Sequence, residues 1–183
     1  MNESKQRELD ALKLRFRPLH PKDFSLLEQW LAMPQIKTWW NEPLDLARVE
    51  AKYGPRITGS DPTHVFMIEI EKQPVGWIQW YRWCDYPEHA EQLRAEATEA
   101  GVDLAIGLPQ FIGIGLGVKA LTAFLKEIIF PIQDISAGVA DPQEDNRRSI
   151  RAFEKAGFKT ERKVHLKGEA FARVVVRIER SRD

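Results

Sequence analysis

A single cysteine, Cys84, stands among the 183 residues. An internal disulfide is therefore excluded, and so is a zinc site built on several thiolates. A reducing cytoplasm is the compartment this composition suits best. Neither sign of charge is in excess, because Lys+Arg and Asp+Glu each total 27. Nothing in that balance draws the chain to nucleic acid. No apolar run approaches the roughly 20 residues needed to cross a bilayer. The first residues, MNESKQRELDALKLRF, are too charged for the apolar core of a signal peptide. There is no long-period repeat, no low-complexity tract and no linker that would divide the chain. The histidine spacings assemble neither a three-ligand metal cluster nor a Ser-His-Asp arrangement.

What is present describes a soluble globular protein, with 43% hydrophobic and 30% charged residues. One domain over residues 1–183 is expected, large enough for a core without disulfides or metal, as a monomer or homodimer. Residues 1–11 read as a flexible or helical extension. Six tryptophans are many for this length, and packing accounts for most of them. Trp39 and Trp40 differ, because neighbours on a helix or strand point different ways. One of the two, Trp40, is a candidate pocket wall.

LKLRFRPL (Leu12 to Leu19) alternates apolar and basic residues and predicts a strand. Asp23 is placed to cap the helix FSLLEQWLAM, which Pro34 should end. LDLARVEAKY (Leu44 to Tyr53) predicts a second helix, closed by Gly54-Pro55. HVFMIEIE and VGWIQWYR predict a hairpin turning around Lys72-Gln73-Pro74. Residues Asp85 to Gly101 interrupt the strand pattern, which GVDLAIG (Gly101 to Gly107) resumes. A helix then runs to about Phe130, DISAGVA forms a short strand, and DNRRSIRAFEKAG forms a helix ending at Gly157. FKTERKVHLKGEAFARVVVRIER predicts a closing hairpin with its turn at Lys167-Gly168. The sum is an α+β fold, a mixed and mostly antiparallel central sheet flanked by helices.

Between the predicted fourth strand and its helix, Ile112-Gly113-Ile114-Gly115-Leu116-Gly117 alternates glycine with bulky residues. Glycines at a helix mouth let an anion approach bare N–H groups where the helix dipole is positive. A pyrophosphate would fit. The spacing is neither a P-loop nor a dinucleotide fingerprint. Taken alone, the glycines are equally compatible with a tight turn that binds nothing.

The glycine turn together with DNRRSIRAFEKAGF resembles the GNAT superfamily of acyl-CoA N-acyltransferases. Asn146, Ser149, Phe153, Glu154, Lys155, Gly157 and Phe158 match that family's late helix-and-strand motif, in its order and at its separation. Most of the chain is similar to one branch, the aminoglycoside 6′-N-acetyltransferases, through LEQWLAMPQIKTWW, VGWIQWYR, GVDLAIG and GVADPQEDNRRSIRAFEKAGF. The resemblance implies acetyl-CoA as co-substrate, held by the turn from Ile112 to Gly117, by Asn146 and by Phe153. It implies that backbone N–H groups of Leu104, Ala105 and Ile106 polarise the thioester carbonyl. Two positions depart from the pattern. Ile112 stands where an Arg or Gln is usual, and Phe153 stands where many relatives carry a tyrosine able to protonate the departing thiolate.

The resemblance makes Asp103 the candidate base and ammonium ligand; as a bare sequence feature it is also compatible with a solvated strand end. Asp141, before Pro142, reads equally as a second cation-binding carboxylate or as a turn residue leading into the next helix. From Asp85 to Asp103 six acids face one basic residue, Arg94. Carboxylates around a cleft concentrate a polycation. Glu88, Glu91 and Glu99 are candidate contacts to a polycationic amine, and Trp40 could lie under a sugar ring or an ammonium. Arg147, Arg148 and Arg151 either touch coenzyme phosphates or are surface charges. Another amine acceptor (a siderophore precursor, a polyamine or a protein) and a non-catalytic CoA-binding protein are the alternatives.

Overall fold

The computed structural model describes residues 9, 11–40 and 45–181. Most of the expected N-terminal extension, and the expected helix start at Leu44, lie outside them. Among the described residues are seven strands and six α-helices: β1 (Leu14–Pro18), α1 (Phe24–Leu31), α2 (Pro34–Trp40), α3 (Leu46–Thr58), β2 (His64–Ile70), β3 (Gln73–Arg82), α4 (Pro87–Leu93), β4 (Glu99–Ile106), α5 (Leu116–Phe124), β5 (Ala137–Ala140), α6 (Arg147–Lys155), β6 (Lys159–His165) and β7 (Ala172–Glu179). The strands hydrogen-bond in the order β1-β2-β3-β4-β5-β7-β6. β4 and β5 are parallel, while β1–β2, β5–β7 and β6–β7 are antiparallel. This is the mixed, mostly antiparallel α+β sheet that the sequence predicts.

Two compact units divide the residues, Met1–Gln79 with Leu104–Leu116, and Trp80–Asp103 with Gly117–Asp183. β3 and β4 each run from one unit into the other. In the first unit, Phe24, Leu27, Trp30 and Leu31 form the buried face of α1, the i, i+3, i+7 stripe of an amphipathic helix. They pack with Val49 and Tyr53 of α3 and with Met67 and Trp77 of the sheet. Trp30 and Trp77 stack 6.0 Å apart at an interplanar angle of 7°. In the second unit, Trp83, Ala90, Leu93, Val139, Leu166 and Val175 form the core.

Several local expectations fail for identifiable reasons. Asp23 does not cap α1. Its carboxylate is 5% exposed, accepts His20 N–H at 2.9 Å, and pairs with Arg17 at 2.7 Å. Pro34 opens α2 instead of merely ending α1, since a residue without an N–H costs nothing in a first helical turn. α3 runs through Gly54-Pro55 and ends at Gly59, whose φ is +81°. The Pro55 carbonyl accepts Ser60 N–H at 2.9 Å and Asp61 N–H at 3.1 Å, which closes the last turn. The β2–β3 turn is Glu71-Lys72, both at positive φ (51° and 69°), and Pro74 lies inside β3. β4 begins two residues before the predicted strand, which places Glu99 in the sheet. The interrupted stretch contains a helix, α4, with Pro87 in its first turn.

Candidate active site

The β4–β5 ladder pairs Glu99 with Ala137, Ala100 with Gly138 and Gly101 with Val139. Asp103, Leu104, Ala105 and Ile106 lie beyond its last pair. Side chains alternate along a strand, so Gly101, Asp103 and Ala105 share one face. Leu104 and Ile106 are half-buried and Ala105 is 8% exposed. None of these side chains carries a polar group, so backbone amides are the only hydrogen-bonding groups the stretch offers.

After β4, Gly107 N–H donates to the Val75 carbonyl at 2.8 Å. A short 3-10 turn, Pro109–Phe111, then leads to Ile112. Gly113 and Gly115 have φ of +80° and +99°, the left-handed region that side chains avoid. A Cβ at Gly113 would meet nothing within 4 Å, so the backbone there is open on the side a side chain would cover. Leu116 is fully buried and starts α5, whose backbone continues as a π-helical turn, Leu125–Ile129. The open glycine backbone at the helix N-terminus fits a pyrophosphate. The other predicted coenzyme residues take different parts. Asn146 caps α6, its side-chain oxygen accepting Ser149 N–H at 3.1 Å. Phe153 is 3% exposed and packs edge-on against Phe158 with centroids 4.9 Å apart, so in this structure its ring is a core element. Arg147, Arg148 and Arg151 are exposed.

In the second unit a charged cluster forms around the end of β5. Asp141 is 6% exposed, and its Oδ2 lies 2.9 Å from His89 Nε2 of α4. Arg173 of β7 donates to the Asp141 carbonyl at 3.2 Å and reaches its Oδ2 at 3.6 Å. The same guanidinium donates to both oxygens of Glu169, at 2.6 and 2.7 Å. Asp141 is therefore a buried, partnered carboxylate. The hydrogen bond that His89 donates to Asp141 raises the His89 pKa above its usual value, outweighing the lowering effect of burial.

Tyr81 of β3 stands over Gly101, where a Cβ would fall 2.2 Å from its ring. Desolvation, then the charges of Asp103 and Asp141, push its phenol well above the usual range. Tyr81 consequently remains a hydroxyl donor at any working pH. Its ring meets Trp83 edge-on at 5.1 Å and Tyr86 at 4.9 Å. Trp83 in turn lies 5.2 Å from the His89 ring. These aromatic rings fix the phenol beside the half-buried Asp103 and hold the imidazole against Asp141.

The acidic stretch divides. Glu88 and Glu91 are exposed on α4, open to a cation. Glu99 is 3% exposed and ion-paired with Arg177, which also binds Glu161 at 2.7 Å. Glu99, expected as a substrate contact, is thus a buried carboxylate already held by a guanidinium. In the first unit Trp40 packs against Trp77 at 4.9 Å and 56°, and stays partly exposed. Tyr81, His89, Glu169 and Arg173 were not legible in the sequence. His89 meets Asp141 across 52 positions, and no local pattern announces such a pairing. Among the described residues, no three His, Cys, Asp or Glu side chains converge as metal ligands would, and no helix is long and apolar enough to cross a membrane.

The family described as an acetyltransferase (GNAT) domain matches residues 20–166. The aminoglycoside N(6′)-acetyltransferase type 1 of Klebsiella pneumoniae is 28% identical over 153 residues, covering 81% of this chain and 74% of that protein. Aminoglycoside acetyltransferase AAC(6′)-Ib, crystallised with coenzyme A and kanamycin, superposes with a TM-score of 0.82 at 26% identity, covering 92% of this chain and 95% of that one. A shorter similarity, 36% over 64 residues, links 33% of this chain to 29% of an N-hydroxyputrescine acetyltransferase of Acinetobacter baumannii.

Proposed function

The chain belongs to the acetyltransferase (GNAT) family, and we propose that it transfers the acetyl group of acetyl-CoA to the 6′-amine of aminoglycosides. One observation carries the reading: Asp103 immediately precedes the apolar stretch Leu104–Ile106, beyond the end of the β4–β5 ladder. A carboxylate and a run of amides without polar side chains are what amine acylation needs from a strand. The similarity to enzymes named for the 6′ position, over four-fifths of the chain, supports the choice of acceptor.

Acetyl-CoA supplies an activated acetyl thioester. The turn from Ile112 to Gly117, open at Gly113, would hold its pyrophosphate, with the dipole of α5 favouring the negative charge. Amides of Leu104, Ala105 and Ile106 would donate to the carbonyl oxygen as charge develops there. Asp103 would bind the acceptor ammonium and receive its proton, because only the neutral amine is a nucleophile. The protonated Tyr81 phenol lies within the electrostatic reach of that carboxylate. Phe153 cannot donate a proton, and a thiolate whose pKa is about 8.5 can leave without an acid near neutral pH. Glu88 and Glu91 would attract the remaining ammonium groups, and Trp40 would lie against a sugar ring. Such a reaction belongs in the cytoplasm, where acetyl-CoA is made, and would lower a cell's susceptibility to these antibiotics.

A polyamine-like acceptor is the second reading, favoured by the shorter match to an acetyltransferase acting on N-hydroxyputrescine. The deciding experiment measures free-thiol release from acetyl-CoA with kanamycin, tobramycin and spermidine in parallel. Turnover with the two aminoglycosides well above that with spermidine is expected. Turnover with spermidine alone would transfer the assignment to polyamines. Binding of CoA with no thiol release from any amine would mark a non-catalytic protein.

A further inference from the structure

The charged groups around Asp141 come from four elements. Asp141 closes β5, Arg173 projects from β7, Glu169 lies in the β6–β7 turn, and His89 lies on α4. Two carboxylates face one guanidinium, and Arg173 is committed to Glu169 by two short hydrogen bonds. With His89 neutral the cluster keeps one negative charge, centred on Asp141. With His89 protonated that charge is cancelled, and the next carboxylate, Asp103, is near enough to act on Arg173 but belongs to β4. The imidazole is the most exposed member of the cluster, at 39%, whereas Asp141 is 6% exposed.

We propose that His89 is a specificity-determining residue whose imidazolium occupies the cation subsite at Asp141, so that its proton and an ammonium of the acceptor exclude one another. The proposal rests on the acetyltransferase reading above and adds a residue that does no chemistry on the acyl group. Substrate binds well only after His89 has lost its proton. Two positive charges against one buried carboxylate would leave one of them uncompensated, a costly arrangement in a poorly solvated site. Neutral His89 can still donate Nε2–H to Asp141 or swing aside, so deprotonation opens the subsite without dismantling the cluster. The direction of the His89 shift agrees, because the partner that would bind the ammonium also stabilises the imidazolium.

The test compares KM for kanamycin between pH 6 and 9 in wild type, His89→Gln and His89→Lys. Gln preserves a hydrogen-bond donor without a titrating charge. Changes in the ionisation of kanamycin itself are common to all three proteins and cancel in the ratios. Below the His89 midpoint the wild-type KM should rise by up to about tenfold per pH unit relative to His89→Gln, with kcat nearly parallel in the two. His89→Lys should show a raised KM relative to His89→Gln throughout. A second readout is independent of turnover: saturating kanamycin should move the His89 titration, followed by NMR and assigned by its loss in His89→Gln, to lower pH. Normal turnover with a constant wild-type to His89→Gln KM ratio, or an unmoved titration in bound enzyme, overturns this proposal alone. Absence of both kanamycin turnover and kanamycin binding overturns the aminoglycoside reading, and this proposal with it.

Discussion

The ring of Tyr81 fills the space that a side chain at Gly101 would need: a Cβ there would stand 2.2 Å from Tyr81 Cε2 and 2.8 Å from its hydroxyl oxygen. Glycine at 101 is therefore a condition for the phenol to reach the face it shares with Asp103. Gly101→Ala should force the ring off its position, destabilising the protein by about 1–3 kcal/mol, the usual cost of overpacking. Loss of kcat/KM should exceed that of Tyr81→Phe, which keeps the ring in place. Denaturant unfolding and steady-state kinetics on both variants check this. Wild-type stability and activity in Gly101→Ala would mean that the ring has room to move.

Gly113 poses the opposite case, with φ at +80° and no atom within 4 Å of a Cβ. Nothing in the protein opposes a methyl group there, so Gly113→Ala should cost only the backbone strain, about 1–2 kcal/mol. CoA affinity should fall by tenfold or more if phosphate approaches that side of the backbone. Calorimetric titration with CoA, beside a thermal melt, separates the two effects.

Arg17 holds two carboxylates at once, Asp23 at 2.7 Å and Glu69 at 2.8 Å. Arg17→Met would strand both acids in a nearly buried site. A loss of about 3–5 kcal/mol is expected, as for other broken buried ion pairs. Burial pushes the Asp23 carboxyl up, but hydrogen bonds from Arg17 and from His20 N–H outweigh it and hold the carboxyl below its usual value. A depressed carboxylate contributes stability that is complete above the unfolded value of about 3.9 and fades as pH falls through the lower folded value. Wild-type Tm should therefore drop on acidification below pH 4 by more than that of Arg17→Met. Parallel curves would show that Asp23 is not linked to folding through Arg17.

How much of this was legible in advance differs between the sheet and the site. All seven strands were visible because alternation is a local signal, and the glycine turn was visible because its residues are consecutive. Asp103 was singled out through the family resemblance, since an acid at a strand end reads by itself as solvated. Two short helices were missed, one because Pro34 was taken as a stop and one inside the stretch read only as interrupting the strands; Pro34 and Pro87 both sit in first turns, where their missing N–H has no cost. The β2–β3 turn was placed one residue late, around Lys72-Gln73-Pro74, because neither Glu71 nor Lys72 is a usual occupant of positive φ, and the hairpin on either side imposes it. The cluster at Asp141 was hidden for a different reason. Its members, His89, Asp141, Glu169 and Arg173, come from four separate elements, and only the folded sheet brings them together.

Asp103 supplies the sharpest test of the chemistry. Asp103→Asn preserves shape while removing both the charge and the basicity. A general base is worth about 10²–10⁴ in rate, so kcat should fall by that factor. If Asp103 also binds the ammonium, KM for the amine should rise as well, whereas KM for acetyl-CoA, which carries no ammonium group, should stay near wild type. Two rival roles predict different patterns. A purely electrostatic binding residue would raise the amine KM at nearly constant kcat. A structural residue would lower Tm and affect both substrates alike. The electrostatic coupling of Asp103 to Tyr81 gives an internal control: Tyr81→Phe leaves the base and removes only a neighbouring hydroxyl, so its kcat should fall less than that of Asp103→Asn. In the double variant the penalties should be less than additive, since the hydroxyl's influence on a base that is absent cannot be lost. Full additivity would place Tyr81 and Asp103 in separate parts of the reaction, and an unchanged kcat in Asp103→Asn would remove Asp103 from the chemistry.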